Sequence, residues 1–192
     1  MFKDPILNEL IKKYPAPTFE DRSNFLFREL IEAIVSQQLS IKAADTIFGR
    51  FKKLFEGSDF PTPEEVLKMD AENIRGAGLS YSKISYVKAI AQAFADKQID
   101  IPALLLMSDE DVITELVKIK GVGQWTAEMI LIFTLNRPDI FSIGDLGIRR
   151  AIEKLYGITD RKEMEKLAQS WSPYRSTACW YLWRSLENKN VK

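Results

Sequence analysis

The feature that most constrains the fold is a Gly-x-Gly turn at residues 121–123, which lies between two helical patterns. Before the turn, residues 109–120 have the apolar spacing of an amphipathic helix. After it, residues 124–135 are apolar on nearly every side, which predicts a helix buried all round. Glycine permits positive φ angles and the close approach of a neighbouring backbone. The stretch therefore predicts a hairpin of two helices.

The amides of such a turn, and those at the start of its second helix, have no partners within the helix. They form a ready binding site for phosphate groups. We therefore expect the chain to bind a nucleic-acid backbone without reading its base sequence. The alternative is a helical corner that only packs the core.

Composition excludes several kinds of chemistry. The chain has no histidine, which excludes histidine acid–base catalysis, Ser-His-Asp triads and histidine-bound metals. Its single cysteine, Cys179, excludes an internal disulfide, a cysteine-rich zinc site and a four-cysteine iron–sulfur cluster. With 27 basic and 27 acidic residues the net charge is zero, so nucleic-acid binding must depend on local patches and backbone amides.

The rest of the chain also has helical periodicity, and no segment shows the sustained alternation of a strand, so the predicted class is all-α. Helices are predicted at residues 24–37 and 41–55, with Gly57 as a stop. Start signals with a capping side chain precede four helices. These signals are at Ser40, Thr62, Ser108 and Ser172, the last ahead of a helix to about Glu187.

We predict one domain of two helical lobes with a cleft between them. The first lobe covers about residues 24–100, with the N-terminal segment 1–23 and the C-terminal helix 173–188 packing near it. The second lobe covers about residues 101–172 and contains the hairpin. No segment is typical of a signal peptide or of a membrane span, so we expect a soluble, intracellular protein.

Asp145 follows the second glycine of the turn by 22 residues. Its position before Leu146 fits a plain N-cap that starts a helix. A helix N-terminus also favours a negative charge. A carboxylate held there can stabilise a cationic sugar transition state and orient a water molecule.

The hairpin and the downstream aspartate together resemble the helix-hairpin-helix DNA glycosylase superfamily. Its signature is this hairpin, a Gly/Pro-rich loop and a catalytic aspartate. Three stretches resemble its alkylation-repair branch, namely residues 33–40, residues 145–149, and residues 171–176 together with 180–183. Over about residues 20–188 the chain is similar to 3-methyladenine DNA glycosylase II in a compact form that lacks the N-terminal β-rich domain of some relatives.

The resemblance implies that Asp145 is the catalytic residue and faces the anomeric carbon of a flipped nucleotide. Relatives that also cleave the strand have a nucleophilic lysine two positions after the second glycine, where this chain has Trp125. A monofunctional hydrolase that leaves an abasic site is therefore expected. Trp125, Met129 and Trp183 match base-pocket positions, and indole faces suit a base made cationic by alkylation. The alternative for each tryptophan is core packing.

The resemblance also assigns contacts to DNA. Gln38 is expected to fill the gap that the flipped base leaves, and Ser40 to contact DNA beside it. The phosphate contacts are expected at Gly121, Gly123, Gln124 and Thr126. In the family the hairpin holds a monovalent cation, Na⁺ or K⁺, through backbone carbonyls, which here are those of Val117, Ile119 and Val122.

We expect the partner to be double-stranded DNA with alkylated bases, and the protein to be a monomer. No cofactor for catalysis and no iron–sulfur cluster are expected. The location is expected to be the cytoplasm with the nucleoid, or the nucleus in a eukaryote. The alternatives are a non-catalytic DNA-damage binding protein and a helix-hairpin-helix glycosylase for oxidised or deaminated bases. The missing lysine at 125 and the paired tryptophans count against the second.

Overall fold

The fold consists of α-helices joined by turns and loops. The computed structural model describes residues 2–55, 57 and 59–187, and among these no residue lies in a strand. The predicted all-α class is confirmed. No helix of this described part is long and apolar enough to cross a membrane. In chain order the α-helices are α1 (Pro5–Lys13), α2 (Leu26–Ser36), α3 (Ile41–Lys52), α4 (Pro63–Lys68), α5 (Ala71–Gly76), α6 (Tyr81–Ala95), α7 (Ile101–Leu106), α8 (Asp109–Val117), α9 (Gln124–Phe133), α10 (Leu146–Tyr156), α11 (Arg161–Gln169) and α12 (Arg175–Leu186).

Three of the predicted start signals act as N-caps. Ser40 accepts the amide of Ala43 at the start of α3, and Ser108 accepts that of Asp111 at the start of α8. Thr62 forms a reciprocal capping box with Glu65 at the start of α4. These caps satisfy amides that have no partner within their own helix. At α3 the predicted end is three residues too late, because residues 53–54 form a turn.

The chain divides into two compact units. One unit is Arg22–Ile130, and the other combines Met1–Asp21 with Leu131–Lys192. This division differs from the predicted lobes, which placed the N-terminal segment and the last helix near residues 24–100. In the structure α12 packs against α1 and α10, so all three share one core. The predicted C-terminal helix extended to residue 188, which lies outside the described residues.

The core of the Arg22–Ile130 unit forms around α2 and α6. Helix α6 packs against both α2 and α4, and α2 packs against α3. The apolar spacing of α2 that predicted a helix also selects its buried face. The side chains with no exposed surface there are Leu26, Leu30, Ile31, Ile34 and Val35.

The core of the other unit is tied together by Asp4. One carboxylate oxygen of Asp4 caps α1 by accepting the amides of Ile6 and Leu7. The other accepts the Tyr156 hydroxyl and the Trp171 indole N–H, each at 2.9 Å. Burial, together with the hydrogen bond to Asp4 and its negative charge, raises the pKa of Tyr156. One carboxylate thus joins α1 to the end of α10 and to the segment before α12.

The predicted hairpin consists of α8, the turn at residues 118–123, and α9. Gly121 has φ +95°, and a Cβ atom there would lie 2.3 Å from Cγ of Tyr86 on α6. Gly121 is therefore required both by the backbone conformation and by the ring packed against it. A Cβ atom at Gly123 would meet nothing within 4 Å apart from its chain neighbours. The fold itself leaves room for a side chain at Gly123.

Replacing Gly121 by alanine should destabilise the Arg22–Ile130 unit. The positive φ costs about 1–2 kcal/mol, and overlap with the Tyr86 ring adds about 1–3 kcal/mol. We expect the melting temperature to fall by roughly 5 °C or more. Thermal unfolding followed by circular dichroism measures this. Gly123→Ala is the matched control and should cost only about 0.5–1 kcal/mol, because Gly123 has no positive φ and alanine is merely a poorer N-cap than glycine. Equal melting temperatures for the two variants would contradict the role of Gly121.

Candidate functional site

The turn before α9 and the first residues of this helix are exposed. Gly123 and Gln124 are both exposed, as predicted for phosphate contacts. The Gln124 side chain donates to the buried carboxylate of Glu128 one turn later, at 3.0 Å. Val122 is buried and anchors the turn. The first amides of α9 and the positive end of its dipole therefore lie beside an exposed turn, an arrangement that favours an anion.

Thr126 lies in a different place from the one that the sequence predicts. Its side chain is only 2% exposed, and its hydroxyl accepts a hydrogen bond of 3.3 Å from the amide group of Gln37. The hydroxyl is thus turned into the protein, where it contacts the end of α2. This side chain supports the turn that carries Gln38.

That turn, residues 37–40, connects α2 to α3 and exposes its polar side chains. Gln38 and Ser40 are both exposed, as expected for DNA contacts. Gln38 has φ +59°, a left-handed conformation that residues with a side chain rarely adopt. The Lys83 ammonium group donates to the carbonyls of Val35 and Gln37. Burial lowers the pKa of Lys83. The turn is therefore held in a strained conformation by contacts from α6 and α9.

Asp145 lies in the other unit, at the N-terminus of α10. Its Oδ1 atom accepts the amide of Ile148 at 2.8 Å and the indole Nε1–H of Trp183 at 2.9 Å. The N-cap position that the sequence predicts is confirmed. Donors from two helices, α10 and α12, fix the direction of one carboxylate, and both favour its negative charge.

Trp183 belongs to a row of three aromatic rings in the same unit. Its ring centroid lies 5.7 Å from that of Phe133, and the Phe133 centroid lies 6.1 Å from that of Phe19. Phe133 is 40% exposed, so the row has a solvent-facing side. The rings are tilted against one another, by 34° between Phe133 and Trp183 and by 57° between Phe19 and Phe133. The structure thus places an aromatic surface next to the Asp145 carboxylate through Trp183.

Gly147 makes the approach of Trp183 to Asp145 feasible. A Cβ atom at this position would lie 3.0 Å from Oδ1 of Asp145 and 3.1 Å from Cδ1 of Trp183. Glycine inside a helix costs about 1 kcal/mol relative to alanine. Its presence in the first turn of α10 is explained by this packing.

The loop that carries Asp145 is fixed at both ends. Arg149 donates to the carbonyls of Ile143 and Gly144, each at 3.1 Å. The Arg175 guanidinium donates to both carboxylate oxygens of Asp139, from Nε at 2.8 Å and from Nη2 at 3.0 Å. Bidentate pairs of this kind are strong and directional. They fix residues 139–145 between α10 and α12.

Asp139 also caps α12, which corrects the predicted start of that helix. Its Oδ1 atom accepts the amide of Arg175, and the Ser172 hydroxyl donates to Oδ2. The helix begins at Arg175 because its capping group comes from a distant segment rather than from Ser172. Burial alone would raise the pKa of Asp139. The hydrogen bonds from Arg175 and Ser172, together with the guanidinium charge, outweigh it and hold this pKa below its ordinary value.

The predicted burial of α9 on all sides is wrong. Trp125 is 42% exposed, which also excludes the alternative of core packing for this side chain. Met129 is half-buried, one helical turn later. Trp125, Met129 and Phe133 recur every four residues and therefore lie on one face of α9. The apolar residues on the remaining faces pack the core, so the sequence pattern concealed an exposed aromatic face.

A family model decides the relationship of this chain to known proteins. The model of the HhH-GPD superfamily base excision DNA repair protein matches residues 31–174. The chain belongs to this family. The match includes the hairpin, the turn with Gln38, and Asp145, but it ends before Trp183.

Individual members of the HhH-GPD family are similar over most of the chain. DNA-3-methyladenine glycosylase 1 of Schizosaccharomyces pombe is 42% identical over 163 residues, which are 83% of this chain and 72% of that protein. The solved structure of the S. pombe 3-methyladenine DNA glycosylase in complex with abasic DNA has a TM-score of 0.87 at 36% identity, and covers 99% of this chain and 95% of that one. A DNA-3-methyladenine glycosidase structure from Bacillus halodurans has a TM-score of 0.81 at 36% identity, with 95% and 85% covered. The predicted glycosylase fold and family are confirmed.

Several residues of the site are not predicted by the sequence patterns. The apolar pattern of residues 124–135 places Phe133 in the core, although its four-residue spacing from Trp125 and Met129 is visible in the sequence. Glycine in the first turn of a helix, as at Gly147, is a signal of close packing that identifies such a position. Asp139 and Arg175 had no usable signal, since 36 residues separate them.

Replacing Asp139 by asparagine tests the loop contacts. The pKa of Asp139 is depressed in the folded state. The ionised carboxylate therefore contributes fully to the free energy of unfolding above its ordinary pKa of 3.8, and this contribution is lost as the pH falls through the lower pKa of the folded state. We expect Asp139→Asn to lower the free energy of unfolding by about 1.5–3 kcal/mol at neutral pH. The difference from wild type should shrink as the pH falls below 3.8. Urea unfolding at a series of pH values measures it.

Asp160→Asn is the matched control for this experiment. Asp160 caps α11 in the same unit, and asparagine is as good an N-cap as aspartate. The control removes the same charge and should change the free energy of unfolding by less than about 0.5 kcal/mol. A pH-independent difference between Asp139→Asn and wild type would contradict the ionic contribution.

Replacing Gly147 by alanine should disrupt the contact between Asp145 and Trp183. Alanine at this helical position stabilises the protein by about 1 kcal/mol through its helix propensity. The new methyl group also weakens the hydrogen bond from Trp183 to the charged Asp145, which destabilises the protein by more, about 1.5–3 kcal/mol. We therefore expect a net destabilisation and an upfield shift of the Trp183 indole proton in ¹⁵N–¹H spectra. Trp183→Phe assigns that resonance. An unshifted indole proton in Gly147→Ala would show that the contact tolerates a methyl group.

Proposed function

We propose that this protein is a monofunctional DNA N-glycosylase of base excision repair. Its proposed substrates are flipped alkylated purines of the 3-methyladenine and 7-methylguanine type in double-stranded DNA, and its product is an abasic site. The observation that carries the proposal is the Asp145 carboxylate, oriented by Ile148 and Trp183 in a chain of the HhH-GPD family. The names of the similar proteins, which are 3-methyladenine glycosylases, support the substrate class.

In the proposed reaction Asp145 acts on the sugar. Cleavage of the N-glycosidic bond builds positive charge at the anomeric carbon, and a fixed carboxylate stabilises that charge. The donors from Ile148 and Trp183 hold the Asp145 carboxylate in one orientation, so little reorganisation is needed during the reaction. The carboxylate also orients the water molecule that attacks the sugar.

The aromatic side chains act on the base. An alkylated purine is cationic, and an indole or phenyl face attracts a cation through its quadrupole. Trp125 and Phe133 have exposed faces, and Trp183 contacts both Phe133 and Asp145. We assign Trp125, Met129 and Trp183, with Phe133, to the base pocket. Alkylation weakens the glycosidic bond, which suits a chain without histidine to protonate the leaving base.

The Arg22–Ile130 unit supplies the proposed contacts to DNA. The amides of Gly121, Gly123 and Gln124 are assigned to phosphate groups, and Gln38 to the gap left by the flipped base. The bond to be cleaved is not reachable in a stacked duplex, so such a residue is needed. The backbone carbonyls of Val117, Ile119 and Val122 suit a Na⁺ or K⁺ ion, which would neutralise charge at the hairpin. The Ile119 carbonyl also accepts the Val122 amide, and its second lone pair would serve the ion.

The reaction is proposed to stop at the abasic site. Strand cleavage by a glycosylase requires an amine that forms a Schiff base with the sugar. The matching position here is Trp125, and Lys118 is engaged by Glu115 at 2.6 Å. The protein is proposed to act as a monomer.

The test is release of free base from methylated duplex DNA by wild type and by Asp145→Asn. Wild type should release 3-methyladenine or 7-methylguanine and produce strand breaks only after alkali treatment. Asp145→Asn should be slower by about a hundredfold or more, as expected for loss of a fixed electrostatic group. The asparagine Oδ1 atom can still accept from Ile148 and Trp183, so the variant should stay folded at a cost of about 1 kcal/mol for the lost charge, and duplex binding should change little.

Each result decides between functions. Breaks without alkali would contradict the monofunctional reaction. Equal rates for both forms would remove Asp145 from catalysis. Intact binding of damaged duplex with no base released would instead favour a non-catalytic damage-binding protein.

A further inference from the structure

The turn at the end of α2 depends on one lysine from another helix. The carbonyls at the end of this helix and of the residue after it have no donor in the helix itself. The amide of Gln37 donates to the Ile34 carbonyl, and that of Leu39 donates to the Ser36 carbonyl. The Val35 and Gln37 carbonyls accept the Lys83 ammonium group at 2.8 Å and 2.7 Å. Lys83 thus satisfies every second carbonyl of the segment that leads into Gln38.

An open pocket of about 240 Å³ lies beside the turn and is lined by Val35, Gln38 and Ile47, among others, and by Lys83 itself. On this side the hydrogen bonds from Lys83 are the polar contacts that hold the backbone of the turn. The side chain of Gln37 adds a second contact, to Thr126 of α9.

The conformation held in this way is an unfavourable one. Gln38 has a positive φ although it has a side chain, and its side chain is exposed. Strained backbone of this kind persists only where the surrounding contacts impose it. Removing the contacts should let the turn relax, and the Gln38 side chain would then lose its direction.

We propose that Lys83 is a positioning residue for damaged-site recognition. Through the Val35 and Gln37 carbonyls it holds the turn so that the Gln38 side chain is presented for insertion into the duplex. The inference rests on the proposed function, which assigns Gln38 to the gap left by a flipped base. Lys83 itself acts through the turn and not on the reacting atoms.

A different role for Lys83 is plain attraction between its charge and DNA. If this were its role, removing the Lys83 charge would weaken binding to every duplex equally, and the effect would be independent of Gln38. A positioning role affects only duplexes with a gap to fill, and it disappears once Gln38 is removed. The two roles are therefore separable by the choice of duplex and by a double-mutant cycle.

The experiment measures binding to a duplex with a tetrahydrofuran abasic analogue and to the same duplex undamaged. A 2-aminopurine next to the analogue reports insertion by its fluorescence. In Lys83→Met the preference for the abasic duplex over the undamaged one should fall roughly tenfold, which corresponds to about 1.4 kcal/mol. The fluorescence change that reports insertion should be lost as well. Lys88→Met is the matched control. Lys88 also lies on α6, donates to the Leu67 carbonyl, and should leave the preference within about twofold.

The double variant Lys83→Met/Gln38→Ala should be no worse than Gln38→Ala alone. Additive losses, or an equal loss on both duplexes, would overturn the inference. A wild type without preference for the abasic duplex would overturn it as well. If Lys83→Met melts below the assay temperature, Lys83→Gln replaces it. The shorter glutamine side chain cannot reach both the Val35 and the Gln37 carbonyl. Lys83→Gln should therefore show the same selective loss of preference for the abasic duplex.

Binding to an abasic analogue needs no turnover. If wild type prefers this duplex but releases no base from methylated DNA, the glycosylase proposal fails and the role of Lys83 is still decided. If wild type releases base but Lys83→Met keeps its preference, the role of Lys83 fails and the glycosylase proposal stands.

Discussion

The hydrogen bond between the Trp183 indole and the Asp145 carboxylate is the interaction on which the geometry of the candidate site depends. It joins the N-terminus of α10 to the last turn of α12, and it needs Gly147 to leave room between the two side chains. The loop before Asp145 is fixed by Arg149 and by the Asp139–Arg175 pair. The carboxylate proposed to meet the developing sugar charge is thus held by contacts from two helices rather than by its own helix alone.

The Arg22–Ile130 unit is organised by the same principle, in which polar groups at helix ends are satisfied by distant side chains. Lys83 of α6 satisfies carbonyls at the end of α2, and Thr126 of α9 accepts the Gln37 side chain. The exposed turn with Gln38 and the exposed hairpin with Gly123 are therefore parts of one hydrogen-bonded framework. The proposed DNA contacts require a rigid framework, because a protein group that is displaced from its correct position contributes little to binding or catalysis.

Local patterns predicted much of this arrangement. The caps at Ser40, Thr62 and Ser108 depend on residues within one turn, so they could be assigned without a structure. Predictions were wrong where the partner was remote. The first amide of α12 is capped by the distant Asp139, and the buried Thr126 hydroxyl accepts from the distant Gln37. Helix α9 seemed apolar on all sides, but which of its faces is left uncovered depends on the elements around it.

The sequence by itself determined the all-α class, the Gly121 turn and the place of Asp145 at the start of a helix, since each follows from spacing within a few residues. Only the tertiary structure decided which groups orient Asp145, which fix its loop and which hold the Gln38 turn. Trp183 is 38 residues from Asp145, and Lys83 is 46 residues from the Gln37 carbonyl that it contacts. No periodicity relates residues so far apart, and their contacts arise only when the helices pack.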